Sequence, residues 1–544
     1  MTHALVLSLG HNSSAIAVIN GQIICGYEEE RFTLKKSDSS FPLQSIMECV
    51  KRANLPKNTD VFISHWFLNG EIPPSSKYYD IDVIRGLFPD GSIYSTGKEF
   101  THHDAHHLSA MVFADHEGGL ADDYISFVMD GFGTFGECIS VYRVSKGESK
   151  ITNRWFGFEK SLGMLYQYAT AYMGMKMHNH EYKILAYETH IFDSKELSLL
   201  EPMIHHKALK YASQWFNGLV NDFLEPSFDP NISLDALPRI QLDICKTLDD
   251  LLVDLGYGEV GIHIKRVIVS RFVQTVVQEC VKLLVDSYKA TNVLVSGGLF
   301  YNVKINSMIA KMIPGRFCAM PLAGDQGAGL GMYQHIVGDL YWPGHLNWGA
   351  RDLHIENPEN GIIIVNSMDE AIHQIDNELE HRGYVNLVRG AMEFGPRALC
   401  NTSTLAVPDV RITAKINQMN DRTAEMPMAP VMTYGMADEY FEDIDKVHIS
   451  LNYMIVTRDY RPGKAENVLG AAHFYKDQNV YTGRPQITSD SHMTQLLQKF
   501  GPLVNTSFNY HGVPIVFDDK SITHTHHAQL EKASEQFLTI VVKD

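Results

Sequence analysis

This 544-residue sequence predicts an α/β fold in two parts, the first of them internally duplicated. Three observations carry that prediction. A strand, a small-residue turn and a hairpin occur in order at the start of the chain, and the same order returns near residue 124. A long stretch of helical periodicity then leads into a short apolar run that ends in two glycines. From about Gly361 a fresh strand–helix–strand pattern begins, after a connector rich in turn formers.

The elements follow in chain order. ALVLSLG reads as a buried strand and HNSSAIAVI as a turn and a second strand; Asn20-Gly21 then turns the chain into QIICGYEEERF. Asn-Gly between apolar runs is a strong hairpin signal. YISFVMDGFG and TFGECISVYRV repeat the layout, with Ser145-Lys146-Gly147 as the turn before ITNRWFGFE. A duplication of this kind is what folds of the actin, sugar-kinase and Hsp70 type would give, with such turns facing phosphates. Residues 266–290 form a helix leading to NVLVSGG, where Gly297 and Gly298 let backbone approach a ligand. AMPLAGDQGAGLG closes another apolar run at Asp325. YWPGHLNWGARDLHIENPENG connects to GIIIVN, the helix DEAIHQIDNELEHRG and YVNLVRG, so a domain boundary is expected near residue 360, between residues 1–360 and 361–544.

Composition narrows the function. Hydrophobic residues at 45% and charged residues at 20% describe a soluble globular protein with no membrane span. The N-terminus has neither the basic region nor the cleavage site of a signal peptide. Seven scattered cysteines without a CxxC suit a reducing cytosol, so a cytoplasmic protein is expected and a cysteine zinc site is excluded. A net charge of −18 makes wrapping of duplex DNA a poor expectation, while leaving room for a local basic pocket.

The stretch THHDAHHLSA (101–110) holds four histidines in six residues. His102 and His106 share a helix face, and so do His103 and His107, so spacing alone leaves the pair open between a metal site and a polar helix start. Asp130 and Asp325 favour a metal. Each ends an apolar run beside glycines, where open α/β sheets place their ligands. Two imidazoles and two carboxylates suit a borderline divalent ion, iron(II) first, with manganese or zinc as alternatives.

Seven ordered strings then resemble the NodU/CmcH carbamoyltransferases, which include the tobramycin, cephalosporin and novobiocin O-carbamoyltransferases. They are GHNSSAIAV…GYEEERFTLKKSDSSFP, HHDAHH, VMDGFG, VSGGLFYN, GDQGAGLG, RGAMEFGPRAL and NTSFNYHGVPIV, spanning about residues 5–520. The resemblance implies an N-terminal actin-like domain (a duplicated ribonuclease-H-like fold) and a C-terminal YrdC-like domain. It implies that carbamoyl phosphate and ATP form carbamoyl-adenylate in the second domain, and that the first passes the carbamoyl group to an acceptor hydroxyl. By position, the family's HxxxH pair falls on His102 and His106, with Asp130 and Asp325 completing the metal site. His11 becomes the candidate base, or else a residue that only orders its turn. Glu181, Lys183, Gly297, Gly298 and Asn302 would line the nucleotide pocket. Arg389, Arg397, Arg422, Arg484, Asn505, Ser507 and Asn509 match family positions in the second domain, where guanidinium forks would hold phosphates.

The sequence also departs from the family. Cys400-Asn401-Thr402-Ser403 replaces Gly-x-Arg-Ser after the PRAL string, and Asn420-Asp421-Arg422 followed by Glu425-Met426-Pro427-Met428 lacks a lysine and an arginine. The segment His473–Arg484 is stretched, and YKILAYE replaces a glycine-lysine motif. The expected substrates are carbamoyl phosphate, ATP with magnesium, and a small hydroxylated acceptor, an aminosugar- or cephem-like compound or a hydroxymethylated pyrimidine nucleotide such as 5-hydroxymethylcytosine. The competing expectations are threonylcarbamoyl transfer to tRNA, which would want a basic surface, and a non-catalytic nucleotide-binding protein of the same fold. A homo-oligomer is compatible with all three.

Overall fold

The structure is a computed structural model; it describes residues 2–543 except 225–231, Asp352, His354, Glu356, Asn357, Glu359, 423–427 and Ser534. Met426 and its neighbours, among the departures noted above, lie outside the described residues.

The duplication is present in the strand order. His3–Ser8 (β1), Ser14–Ile19 (β2), Gln22–Glu28 (β3), Asp60–Ser64 (β4) and Ile93–Ser95 (β5) form a sheet ordered β3-β2-β1-β4-β5. Asp123–Met129 (β6), Glu137–Ser145 (β7), Glu148–Phe156 (β8), Val293–Ser296 (β9) and Phe317–Ala319 (β10) form a second, ordered β8-β7-β6-β9-β10. In each sheet the first three strands are antiparallel and the last two run parallel to the first. Repetition of that order and direction is the actin-like architecture the sequence predicted. Both hairpins turn through two residues of positive φ, Asn20-Gly21 (49°, 76°) and Lys146-Gly147 (51°, 80°). That is the turn whose twist matches paired strands, which is why asparagine and glycine stand there.

β1 shows how the sheets are buried. Ala4 and Val6 enter the main core, whereas Leu5 and Leu7 enter a separate core with the helix Leu43–Ala53. A strand covered on both faces has no polar side, hence the unbroken run ALVL.

A third, seven-stranded mixed sheet begins at Ile362 and runs, edge to edge, through Ile362–Val365, Thr539–Val542, Tyr384–Val388, Thr402–Ala406, Leu503–Ser507, Ala429–Met432 and Gln486–Ile487. The segment after its strand Ala429–Met432 returns to the first part. Phe441, Ile449, Tyr453, Tyr460 and Val468 belong to the same core as β1 and β6. The small sheet His473–Tyr475, Val480–Gly483 and Arg458–Asp459 follows and delivers Arg484 to the seam.

The GYEEERF string forms that seam. Arg31 donates to the carbonyls of Gly395 (2.6 Å) and Ile515 (3.1 Å), and Glu28 pairs with Arg31 (2.8 Å) while accepting from the Gly395 amide (3.0 Å). All seven cysteines are free thiols. Among the described residues no helix is long and apolar enough to cross a membrane.

Candidate functional site

The four histidines lie on the helix His102–His116 and are buried, so the reading of a solvated helix start fails. Thr101 caps the helix: its hydroxyl accepts from the Asp104 amide and Asp104 accepts from the Thr101 amide (2.8 Å). That reciprocal cap satisfies two donors that would otherwise be orphaned. Arg154 (2.6 Å) and Tyr142 (2.8 Å) also donate to Asp104.

The two imidazole pairs part company here. His103 Nδ1 meets Ser140 Oγ at 2.9 Å, and His107 meets Ser126 (2.9 Å) and Ser149 (2.6 Å) while stacking on Tyr142 at 3.9 Å. Burial brings His107 down to about 3 and His103 well below the usual imidazole range, so both are neutral core histidines. His102 and His106 face instead towards Asp130 and Asp325. Their Nε2 atoms stand 3.1 Å apart, and each lies 3.4–3.6 Å from both carboxylates. Donors about 2.1 Å from a common centre stand about 3.4 Å apart in a tetrahedron. The four donor atoms lie within 4.8 Å of one another, and their separations fit a transition-metal ion.

Backbone packing brings the four together. Asp130 follows β6, and its Oδ1 accepts from the Gly131 amide (2.7 Å). A methyl on Gly298 would fall 2.9 Å from that same oxygen, so the glycine leaves the space the carboxylate fills. Asp325 opens the turn before the helix Gly329–Ile336. A methyl on Gly331 would lie 1.9 Å from the Ala105 carbonyl; the two helices cross backbone to backbone there, and only glycine permits it. Ser64, at the end of β4, meets His102 Nδ1 at 3.2 Å, which turns Nε2 to the cluster. Burial opposes a charged His102, yet Asp325 and Asp130 outweigh it and push that imidazole up to about 10. Asp130 is held well below the carboxylate range by His102 and His106 despite its burial. The field at this point favours positive charge, and a divalent ion answers it better than a proton does.

His11 stands in the turn after β1. Its Nε2 lies 3.2 Å from the His178 carbonyl, which can only accept, so Nε2 is the donor, and in the neutral ring the lone pair is then on Nδ1. Glu181 in turn accepts from the His178 amide and holds that turn in place. Burial raises the Glu181 carboxyl, and burial with Arg266 nearby lowers Lys183. Asn302 is committed internally: it caps the helix Val303–Met312 through Oδ1 and donates to Tyr166 (2.8 Å) and Gln274 (2.9 Å).

At the seam a second charged group assembles, of opposite sign. Arg397, Arg422 and Arg484 are half-buried, and among the described residues none has a carboxylate within ion-pairing distance. Burial lowers all three. Arg484 is lowered furthest, since Arg397 and Arg422 also oppose it. A guanidinium stays charged in a protein, so this crowding of like charge is relieved by an anion. The buried Nε of Arg397 has no partner, and Arg422 reaches only the Thr506 hydroxyl (2.9 Å).

Around them, side chains matched by the family strings build the frame. Glu393 gathers the amides of Leu399 (2.6 Å), Asn401 (2.8 Å) and Thr402 (3.3 Å), which holds the loop carrying Arg397. Arg389 is bonded to the Cys400 carbonyl (2.9 Å) and paired with Asp490 (3.0 Å). Asn505 donates to the Ala398 carbonyl (3.0 Å), and Ser507 donates to Asn509 (2.6 Å), whose amide bonds Val513 O (2.8 Å).

Lys36 was not singled out in the sequence. It comes from the LKKSD stretch of the first part and feels Arg422 and Arg397 across the seam. Burial, those guanidiniums and Arg31 bring its amine down to about 8 against the pull of Glu30. The only signal was its presence inside a family string; nothing in its neighbours along the chain told of arginines nearly 400 positions away.

Comparison with known proteins adds the class. Residues 376–534 match the family described as carbamoyltransferase C-terminus. Over 94% of both chains it is 26% identical to an uncharacterised protein of Methanocaldococcus jannaschii. Nodulation protein NolNO of Sinorhizobium fredii is 23% identical over 93% of this chain and 75% of its own. The 3'-hydroxymethylcephem-O-carbamoyltransferase of Amycolatopsis lactamdurans is 27% identical over 40% of this chain and 42% of its own. The chain is a homologue of these proteins, consistent with the NodU/CmcH carbamoyltransferase family that its motifs resemble. Among solved structures, HypF of T. kodakarensis is 14% identical with a TM-score of 0.32, covering 62% of this chain and 48% of its own.

Proposed function

We propose that the protein is an ATP-dependent O-carbamoyltransferase acting on a small hydroxylated acceptor, with residues 361–544 forming carbamoyl-adenylate and residues 1–360 transferring the carbamoyl group. The observation that carries this reading is the trio of half-buried guanidiniums without a carboxylate partner among the described residues, Arg397, Arg422 and Arg484, within the segment 376–534 that matches the carbamoyltransferase C-terminus. Two substrates rich in phosphate oxygens are what such a pocket would receive.

The chemistry balances in three steps. Water cleaves carbamoyl phosphate to carbamate and inorganic phosphate. A carbamate oxygen displaces pyrophosphate at the α-phosphorus of ATP. The acceptor hydroxyl then attacks the carbamoyl carbon, losing its proton, and AMP leaves. The three arginines and Lys36 neutralise phosphate charge in the first two steps. In the third, His11 Nδ1 is the lone pair available for the acceptor proton, oriented through His178 by Glu181. A divalent ion held by His102, His106, Asp130 and Asp325, iron(II) on the donor set and manganese or zinc otherwise, would supply Lewis acidity at the transfer site. Lys183 is an ammonium without a carboxylate partner among the described residues and suits the nucleotide phosphates. The acceptor is an aminosugar- or cephem-like alcohol or a hydroxymethylated pyrimidine nucleotide.

The test separates the half-reactions. Protein supplied with ATP should release pyrophosphate only when carbamoyl phosphate is added, and a pooled hydroxyl library should yield a product that has gained the elements HNCO. Pyrophosphate release indifferent to carbamoyl phosphate would end this reading.

A further inference from the structure

Three segments that build the metal cluster also carry aromatic side chains that its geometry leaves unexplained. Trp66 lies two residues beyond Ser64, the partner of His102. Phe132 lies two residues beyond Asp130, and Gly10 precedes His11. These side chains meet. The indole of Trp66 lies so close over Gly10 that a methyl there would fall 2.0 Å from its nitrogen. Phe132 stands edge-on to the indole (5.4 Å, 90°), Tyr78 stands edge-on to it (5.7 Å, 74°), and Phe67 lies alongside (5.3 Å, 35°). Behind Phe132 the buried Phe158 completes the stack (5.1 Å, 77°).

Aromatic rings of this size usually enter a core, where each is worth a large apolar burial. Trp66, Phe67, Tyr78 and Phe132 are only half-buried, and they gather at the one edge of the sheets where His11, His102 and Asp130 also stand. Among the described residues the indole N–H of Trp66 makes no hydrogen bond, and its nitrogen edge packs on Gly10. Among the described residues no carboxylate of the kind that would hold an amino sugar is paired with this group, and the one charge found against it is Lys77, over Tyr78 at 4.6 Å.

From this juxtaposition we infer that Trp66 and Phe132 form the acceptor subsite, and that the acceptor carries its hydroxyl on a flat, π-bearing ring. The inference rests on the transfer site proposed above, and it narrows the acceptors named there to the planar ones. A flat π-bearing ring stacks on an indole face more strongly than its puckered, saturated counterpart. The lysine at the rim would favour an anionic substituent on that ring.

The experiment reads binding rather than turnover. Calorimetric titration of the full-length protein with 5-hydroxymethyl-2'-deoxyuridine monophosphate is compared with titration of its 5,6-dihydro derivative, whose ring is puckered. The flat ring should bind about tenfold tighter. Trp66→Leu should abolish that preference, and Trp66→Phe, which keeps a flat ring, should retain most of it. Equal affinity for the two rings, a preference untouched by Trp66→Leu, or binding of neither would overturn the inference. Failure of the carbamoyltransferase reading itself is scored separately, by wild-type pyrophosphate release with and without carbamoyl phosphate.

Discussion

The two charged clusters of this molecule are built by opposite strategies. The His102–His106–Asp130–Asp325 group takes its members from the end of β6, the turn before the helix Gly329–Ile336 and one capped helix, with two imidazoles one helical turn apart. The Arg397–Arg422–Arg484–Lys36 group takes each member from a different loop or hairpin, one of them from the other part of the chain. Each gathers charge of one sign, largely buried in the first and half-buried in the second, and withdrawing unpaired charge from water costs free energy. A fold carries that cost where a ligand repays it. The first cluster is rigid because its backbone crossings, such as Gly331 on Ala105, leave no slack. The second depends on the seam, held by Arg31 and Glu28 on the Gly395 loop.

If the clusters differ in this way, their variants should differ too. The largest effect is expected at the first. His106→Ala should lose the metal and lower acceptor carbamoylation by about a hundredfold or more, since three remaining donors no longer close the site. Elemental analysis of the purified protein with a product assay checks it; full metal occupancy would break the assignment.

Next comes Arg484→Ala. Loss of a charge-assisted phosphate contact worth roughly 1.5–3 kcal/mol should lower carbamoyl-phosphate-dependent pyrophosphate release by about ten- to a hundredfold. Metal content should not follow, because Arg484 belongs to the other cluster. Parallel loss of metal would merge the two sites into one.

A smaller, pH-dependent effect should come from Lys36. Its amine is depressed to about 8, so it is charged below that pH and neutral above. Inorganic phosphate or carbamoyl phosphate binding should therefore weaken as pH rises through about 8, by up to about tenfold for one lost charge contact. Lys36→Met should bind more weakly at pH 7 and lack this alkaline limb. A limb of equal size in the variant would assign it to another group.

The smallest effect is expected where the two histidine pairs are compared. His107→Ala should keep the metal and lower stability by about 1–3 kcal/mol, by leaving the buried hydroxyl of Ser126 unpaired. Chemical denaturation and metal analysis on one preparation test it. Metal loss in His107→Ala comparable to that in His106→Ala would mean that the cluster tolerates no repacking of its helix.

Much of the fold was legible before any coordinates. The repeated strand-turn-hairpin order appeared as two sheets of the same order, because turn chemistry and apolar runs are local properties. The carboxylates Asp130 and Asp325 were legible for a related reason: each ends a strand-like run beside glycine, and topology sends such ends to one place. Spacing could not choose between His102/His106 and His103/His107, since both pairs share the same i, i+4 geometry. The choice was made by Ser126, Ser140 and Ser149, hydroxyls on neighbouring strands that claimed the second pair.

Several residues matched by their strings also hold the frame. Asn302 caps a helix, Arg389 is spent on Asp490 and the Cys400 carbonyl, and Asn505 and Asn509 brace loops. A motif records that a residue is needed, not whether it faces a ligand or the frame around one. Lys36, Trp66 and the return of residues 441–468 into the first core were decided only by tertiary structure. The sequence by itself determined the periodicities, the turns, the excess of acid and the histidine spacing, because those depend on residues a few positions apart. Which buried charges would be left without partners was decided by contacts across hundreds of positions, and no local pattern encodes a missing partner.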